Sequence, residues 1–311
     1  MLNSIYYDWN GPEADRRKML YDGQLFVYSP RPAMMNFINH ARAMIEEAFG
    51  SINPSKAQYS MPVEKYVEIV APLKPKFIHH PETKRLMQAL VKDYGCDLET
   101  TYIDVPRLRM VTSDGYLTSG VGFAHHPHRD TWYSAPQMQI NWWVPIYDIT
   151  TDMSMAFHPE YWDKPLKNGS DGFNYYEWNA VGRKDASKMI KTDTRKQPKP
   201  EEPVKMDPQI RMVLPAGSVV LFAAAHLHST VPNNSGLARY SIDFRTVNID
   251  DVKAKRGAPN LDSRCHGTSL RDFMKGTDLT RMPEEIVKMY DDVEAPEEAK
   301  VFKPELATAV K

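Results

Sequence analysis

Two stretches in the first hundred residues carry apolar side chains at helical spacing. Pro32 to Phe49 places Met35, Phe37, Ile38, Ala41, Ile45 and Phe49 near one face, and Glu82 to Tyr94 does the same with Leu86, Leu90 and Val91. Both read as helices that pack on something else. From about Tyr102 the pattern changes to short runs rich in β-branched and aromatic residues, broken by Gly, Pro, Asn and Asp. Strands are expected at 103–112, 119–126, 137–146, 210–214, 218–224 and 238–249. Lys164 to Pro208 is polar and aperiodic, and so long a connection reads as a functional lid or a disordered segment. Beyond Asp250 only short helices are expected, at Ser269 to Lys275 and Pro283 to Tyr290. The fold class that follows is mainly β with flanking helices, a sandwich, jelly roll or barrel. It is read as one domain: helical support to residue 100, a β core over 101–250 with the insertion at 164–208, and loops with short helices over 251–311.

Alternation sorts the two longest strands into faces. In Gln137 to Ile146 the even positions, Met138, Ile140, Trp142, Val144 and Ile146, are all apolar, whereas the odd ones begin Gln137, Gln139, Asn141 and Trp143. In Arg239 to Val247 the even set is Tyr240, Ile242, Phe244 and Thr246 and the odd set Arg239, Ser241, Asp243 and Arg245. Each strand therefore offers one face to a core and one polar face, which lines either solvent or a cavity.

Composition narrows the partners. The 311 residues hold 39 basic and 40 acidic side chains, a formal charge of -1, so the basic footprint of a nucleic-acid binder is missing. The longest apolar run, Val219 to Ala225, is too short to cross a bilayer. The two cysteines, Cys96 and Cys265, form neither a CxxC pair nor a disulfide framework. With no signal-like start and no targeting tripeptide at the end, the expected compartment is the cytoplasm.

Histidines cluster just ahead of the two polar-faced strands, in GFAHHPHRDTWYSAP and in AAAHLHSTVPNN. His128 and Asp130 are two apart, so an extended chain projects both to one side, and a distant His would complete two imidazoles and a carboxylate on one face of a metal. The ordered set resembles the Fe(II)- and 2-oxoglutarate-dependent oxygenases, in particular the phytanoyl-CoA-dioxygenase-like branch, over roughly Val105 to Asp250. His128, Arg129 and Asp130 match the H-x-D, and Phe222, Leu227, His228, Ser229, Thr230 and Asn233 match the distal segment. Arg239 and Ser241 match its R-x-S, eleven and thirteen residues after His228.

The resemblance implies a double-stranded β-helix (jelly roll, cupin-like), with iron held by His128, Asp130 and His228. It further implies 2-oxoglutarate gripped by Arg239 and Ser241 with Trp143 and Thr230 beside it, and oxidation of a carbon with O2. Because an acidic ligand is retained, hydroxylation is implied over halogenation. DITTDMSMAFHPEYW departs from the family's glycine-rich stretch, which leaves the substrate pocket open. His226 competes with His228 as the distal ligand. His126, His128 and His228 would make a three-His, cupin-type site without 2-oxoglutarate, and a non-catalytic jelly-roll binding module is the third class. For the substrate, Trp132, Tyr133, Asn141 and Arg245 are the expected contacts. Seven basic residues between Arg183 and Lys199 (Arg183, Lys184, Lys188, Lys191, Arg195, Lys196, Lys199) suggest an anionic or zwitterionic small molecule under a basic flap.

Overall fold

A computed structural model describes residues 4–182, 186–296 and 299. Its strands are β1 (Ile5–Tyr7), β2 (Leu25–Tyr28), β3 (Thr101–Ile103), β4 (Arg107–Val111), β5 (Ile140–Pro145), β6 (Met155–Phe157), β7 (Ile210–Arg211), β8 (Val219–Ala223), β9 (His228–Thr230), β10 (Arg239–Asn248) and β11 (Met274–Lys275). Four longer helices, α1 (Glu13–Tyr21), α2 (Pro32–Phe49), α3 (Val63–His79) and α4 (Pro81–Asp93), precede β3.

The larger sheet runs β1-β2-β8-β5-β10-β3-β11, and β4 also pairs with β10. Only β1 and β2 are parallel. The length of β10 organises this sheet. One of its edges carries β5 through residues 241–246, and the other carries β4 and then β3 end to end. Pro106 lies between β3 and β4, where it can donate no ladder bond. At the same break Asp104 turns the chain by accepting from Val105 N at 2.6 Å, while its own amide bonds to Arg245 O at 2.9 Å.

The alternation read from the sequence holds in both strands. Met138, Ile140, Trp142, Val144, Ile146, Tyr240, Ile242 and Phe244 join one buried cluster with Phe37, Ile38, Ala41 and Ile45 of α2 and Val70 and Phe77 of α3. Trp142 stacks on Phe244 at 5.2 Å between ring centres, and its indole N–H donates to Thr246 Oγ1 at 2.9 Å. α2 starts with Pro32 at its first turn and stops at Gly50, whose φ of 61° is the left-handed region that ends helices. On the other side, Trp143, Val220 and Phe222 pack with Met155 and Phe157 of the small antiparallel sheet β7-β6-β9 and with Met212 just after β7, so the two sheets meet face to face.

Several expectations are corrected. No strand forms at 119–126. That segment turns through Gly120–Gly122, where Gly120 has φ 59° and the carbonyls of Ala186 and Met189 occupy the space a Cβ would need. The expected strand at 103–112 is cut by Pro106 into β3 and β4. The strand at 210–214 shrinks to two residues, and Ser269 to Lys275 becomes a 3-10 turn (Ser269–Asp272) followed by β11. The first hundred residues are not helical support alone, because they add β1 and β2 to the sheet. α3 forms where the sequence pattern predicts no helix, because Pro72 and Pro75 interrupt its apolar spacing. Each leaves one carbonyl of the preceding turn without its intrahelical donor.

Part of the insertion over 164–208 packs against the rest of the protein, while 191–209 holds no helix or strand beyond one isolated bridge at Pro200. Phe173, Tyr175 and Tyr176 are buried, and Thr118 and Ser119 both donate to the Ile190 carbonyl. Its root is tied by a charge. Arg129 is 1% exposed and donates to Asp262 Oδ2 at 3.1 Å, Ala225 O, Tyr161 O at 2.6 Å and Lys164 O at 2.9 Å. Asp262 also accepts from Trp132 Nε1 at 2.7 Å and Leu166 N at 3.0 Å. Asp262→Ala should destabilise the protein by about 3–5 kcal/mol in denaturant unfolding, because it strands a buried guanidinium. The pair replacement Arg129→Met with Asp262→Leu should recover part of that loss; an Asp262→Ala variant as stable as wild type would refute the role.

Candidate metal centre

β9 is three residues long, yet it places the distal histidine in the middle of a ladder. His228 pairs with Phe157 of β6 on one side and, through an isolated bridge, with His128 on the other. The main chains of His128 and His228 exchange both hydrogen bonds, each 3.0 Å long. The two rings consequently lie 4.3 Å apart between centres. One 3-10 turn begins right after, at Asp130–Tyr133, and swings the Asp130 carboxylate back towards them. Ligand atoms of His128, Asp130 and His228 all fall within 4.8 Å of one another. Asp130 Oδ1 is 3.4 Å from His128 Nε2 and 3.9 Å from His228 Nε2.

Both imidazoles are oriented the same way. His128 Nδ1 bonds to the His126 carbonyl at 2.8 Å and His228 Nδ1 to the His226 carbonyl at 3.0 Å. A carbonyl accepts only, so Nδ1 carries the proton and each Nε2 turns a lone pair to the Asp130 side. Burial and the neighbouring His128 push His228 down to about 3, which keeps it neutral. Burial works to raise Asp130, but the polar surroundings, the Arg245 guanidinium at 3.7 Å among them, outweigh it and hold the carboxyl well below its usual range. Two neutral nitrogens and one carboxylate oxygen therefore converge without a proton between them, a donor set suited to a divalent first-row metal.

The other histidines stay out of this cluster. His226 has its ring 4.4 Å from Trp162, and His126 Nε2 bonds to the Pro198 carbonyl at 2.7 Å. Each serves its neighbour through its main-chain carbonyl instead. His125 lies on His128 at 4.9 Å between ring centres and lines the cavity. His158 bonds to Ser229 Oγ at 2.9 Å, behind the ladder.

The triad opens into a cavity of about 600 Å³ between the two sheets, α3 and the insertion. Arg239 reaches it from β10. Its Nη1 donates to the carbonyls of Met153 and Ser154 at 3.2 and 3.0 Å, and its guanidinium carbon sits 5.6 Å from the Trp143 ring centre. Nε has no partner, nor has the buried hydroxyl of Ser241 next but one along the strand. Burial, with Arg109 nearby, lowers Arg239 to about 10 against the pull of Asp243. Thr230 also lines the cavity, its Oγ1 accepting from His125 N at 3.2 Å.

The expected substrate contacts divide. Tyr133 and Asn141 line the cavity. Tyr133 stands edge-on to His128 at 5.5 Å, and Asn141 keeps its Nδ2 without a partner. Trp132 does not line it. The 3-10 turn sends its ring the other way, among Tyr161, Leu166 and Leu227. Arg245 lines the cavity but is already committed, at 3.1 Å from Asp243, 3.5 Å from Asp104 and 3.7 Å from Asp130. The basic flap is likewise reduced. Arg183 and Lys184 lie outside the described residues, Lys191 donates to the carbonyls of Gly115 and Tyr116, and Arg195, which does reach the cavity, pairs with Asp193. Unforeseen wall residues are Lys74, Arg107, Arg109, Phe173 and Trp178. Arg107 and Arg109 alternate with Leu108 and Met110, so the parity test applied to β5 and β10 would have found them on β4.

No helix among the described residues is long and apolar enough to cross a membrane. No family model matches the chain, and no curated protein matches it. Solved structures do match. The non-heme alpha-ketoglutarate-dependent epimerase SnoN from nogalamycin biosynthesis is 12% identical, over 76% of this chain and 84% of its own, with a TM-score of 0.36. The non-heme monooxygenase ThoJ is 14% identical, over 90% and 86%, with a TM-score of 0.40. EvdO2 from Micromonospora carbonacea var. aurantiaca, complexed with 2-oxoglutarate, is 14% identical, over 60% and 64%, with a TM-score of 0.35. With superposition this loose, a function for this chain rests on the residues in its own cavity.

Proposed function

We propose that the protein is an Fe(II)- and 2-oxoglutarate-dependent oxygenase on a jelly-roll core, hydroxylating a carbon of a small anionic or zwitterionic metabolite. The observation that carries the reading is the convergence of His128, Asp130 and His228 in one cavity with a buried arginine that, among the described residues, has no carboxylate in ion-pair range. Iron and 2-oxoglutarate, when bound, would supply oxygen activation coupled to oxidative decarboxylation of the keto acid.

The chain's own residues fit those groups. His128, Asp130 and His228 would hold the metal on one face and leave the other open. Arg245, 3.7 Å from Asp130, keeps that carboxylate charged. Arg239 Nε and the Ser241 hydroxyl are unsatisfied donors a few ångströms of strand apart, and a carboxylate from the co-substrate would satisfy both. The Trp143 ring lies beside the guanidinium and removes water from that pair. Tyr133, Phe173 and Trp178 form an apolar wall on the insertion side, which excludes water from the reacting end. A carboxylate at position 130 leaves no ligand gap for a halide, so hydroxylation is the favoured outcome.

His128→Ala, Asp130→Ala and His228→Ala should each abolish stoichiometric iron binding measured on the purified protein, whereas His226→Ala should retain it. Iron bound normally by His228→Ala would sink the assignment. Arg239→Ala should leave iron binding intact and raise the 2-oxoglutarate requirement by about two to three and a half powers of ten, since losing one partner of a desolvated charge pair costs about 3–5 kcal/mol. An unchanged 2-oxoglutarate titration in that variant would remove the co-substrate from the reading.

A further inference from the structure

Six cationic side chains line the cavity: Lys74, Arg107, Arg109, Arg195, Arg239 and Arg245. Four carboxylates answer four of them. Asp104 pairs with Arg107, Asp243 with Arg109 at 2.5 Å and with Arg245, Asp193 with Arg195, and Asp130 lies beside Arg245. Among the described residues no carboxylate is within ion-pair distance of the remaining two, Arg239 and Lys74. Iron(II) and 2-oxoglutarate together add no net charge, and the far carboxylate of the co-substrate is taken by Arg239. Lys74 is left over.

Its position is built by the helix. Ala71, Lys74, Pro75 and Ile78 of α3 recur at helical spacing along the cavity wall, while Val67, Val70, Leu73 and Phe77 face the core. Lys74 Nζ donates to the Val121 carbonyl, which holds it at the rim of the turn through Gly120–Gly122. Burial, helped by Arg109 and Arg195 and opposed by Asp243, pushes the ammonium down to about 7. A half-buried ammonium that lines a cavity with no carboxylate within ion-pair distance is free to take an anion from a ligand. The same cavity wall carries the apolar and aromatic side chains of Val121, Phe123, Tyr133, Phe173 and Trp178.

We infer that Lys74 binds an oxyanion of the substrate, a carboxylate or a phosphate, and that the substrate's apolar body lies along Phe123, Tyr133, Phe173 and Trp178. This rests on the oxygenase reading for its assignment of Arg239 to the co-substrate. It makes Lys74, and not Arg245 or the basic flap, the residue that selects for charge.

The test is calorimetric titration of protein loaded with Fe(II) and 2-oxoglutarate without oxygen, so that nothing turns over. The probes share one phenyl body: 3-phenylpropanoate, 3-phenylpropanamide and 2-phenylethyl phosphate. Wild type should bind at least one of the two anions about tenfold or more tighter than the amide, a difference of about 1.4 kcal/mol, and the preferred anion tells carboxylate from phosphate. Lys74→Met should bring both anions to the level of the amide, and Lys74→Arg should keep most of the preference. Removing an uncompensated cation should not lower the unfolding midpoint of Lys74→Met, which shows that the variant is folded. Equal binding of acid, phosphate and amide by wild type, a preference that survives Lys74→Met, or no binding of any probe overturns the inference. A prior titration with 2-oxoglutarate alone separates the two readings. If wild type takes none, the co-substrate assignment fails, and the probes are then compared on the iron-loaded protein, where the Lys74 comparison is decided on its own.

Discussion

Two main-chain hydrogen bonds, His128 N to His228 O and His228 N to His128 O, set the distance on which the rest of the site depends. They join segments a hundred residues apart in sequence and leave the imidazoles side by side before any metal arrives. The rings are then turned by the carbonyls of His126 and His228's own neighbour His226, two residues back in each case. The two candidate histidine ligands are thus placed by backbone pairing and oriented by main-chain carbonyls. Arg129 extends the same constraint outward. It stands between His128 and Asp130, points away from the cavity, and grips Ala225, three residues before His228.

Charge in the cavity is organised in the same economical way. Arg245 lies within ion-pair distance of Asp104, Asp130 and Asp243, so one guanidinium links a candidate metal ligand to the turn between β3 and β4 and to the middle of β10. Burial works to raise Asp243, but Arg109 and Arg245 hold it down to about 2, so it stays ionised and the chain of pairs stays intact. Such a network fixes the polar face of β10 without drawing on either cation that remains for ligands. On β10 the paired Arg245 and the unpaired Arg239 share one face, and only the positions of the carboxylates tell them apart.

That distinction marks where the sequence was legible and where it was not. Period-2 alternation showed which faces of β5 and β10 were polar, and the H-x-D with a distant His located three residues that the fold does bring together. Both signals are local or ordered along the chain. The pairing of Arg245 with three acids, the burial of Trp132 and the approach of Lys74 from α3 are contacts between segments that no spacing rule connects. Asp262 sits in a loop with nothing around it in sequence to advertise a buried counter-ion. α3 was hidden for a different reason: its two prolines carry a strong local signal against a helix, and tertiary packing of Tyr66, Val70, Leu73 and Phe77 overrides it.

The split between the two faces of β10 also limits how the site can vary. Tyr240, Ile242 and Phe244 are committed to the core under α2 and α3, so change there acts on stability throughout the sheet. Arg239, Asp243 and Arg245 line the cavity, and all three are held by the carboxylate network or assigned to the proposed co-substrate, as is the neighbouring Ser241. Little of β10 is left to choose a substrate. On the proposed function, selectivity would fall to elements laid over the sheet, namely α3 with Lys74, the turn at Gly120–Gly122, and the insertion with Phe173 and Trp178. These segments pack on one another, Thr118 and Ser119 against Ile190 and Lys74 against Val121, so the substrate end of the cavity can be rebuilt while the ladder that places the metal ligands is left alone.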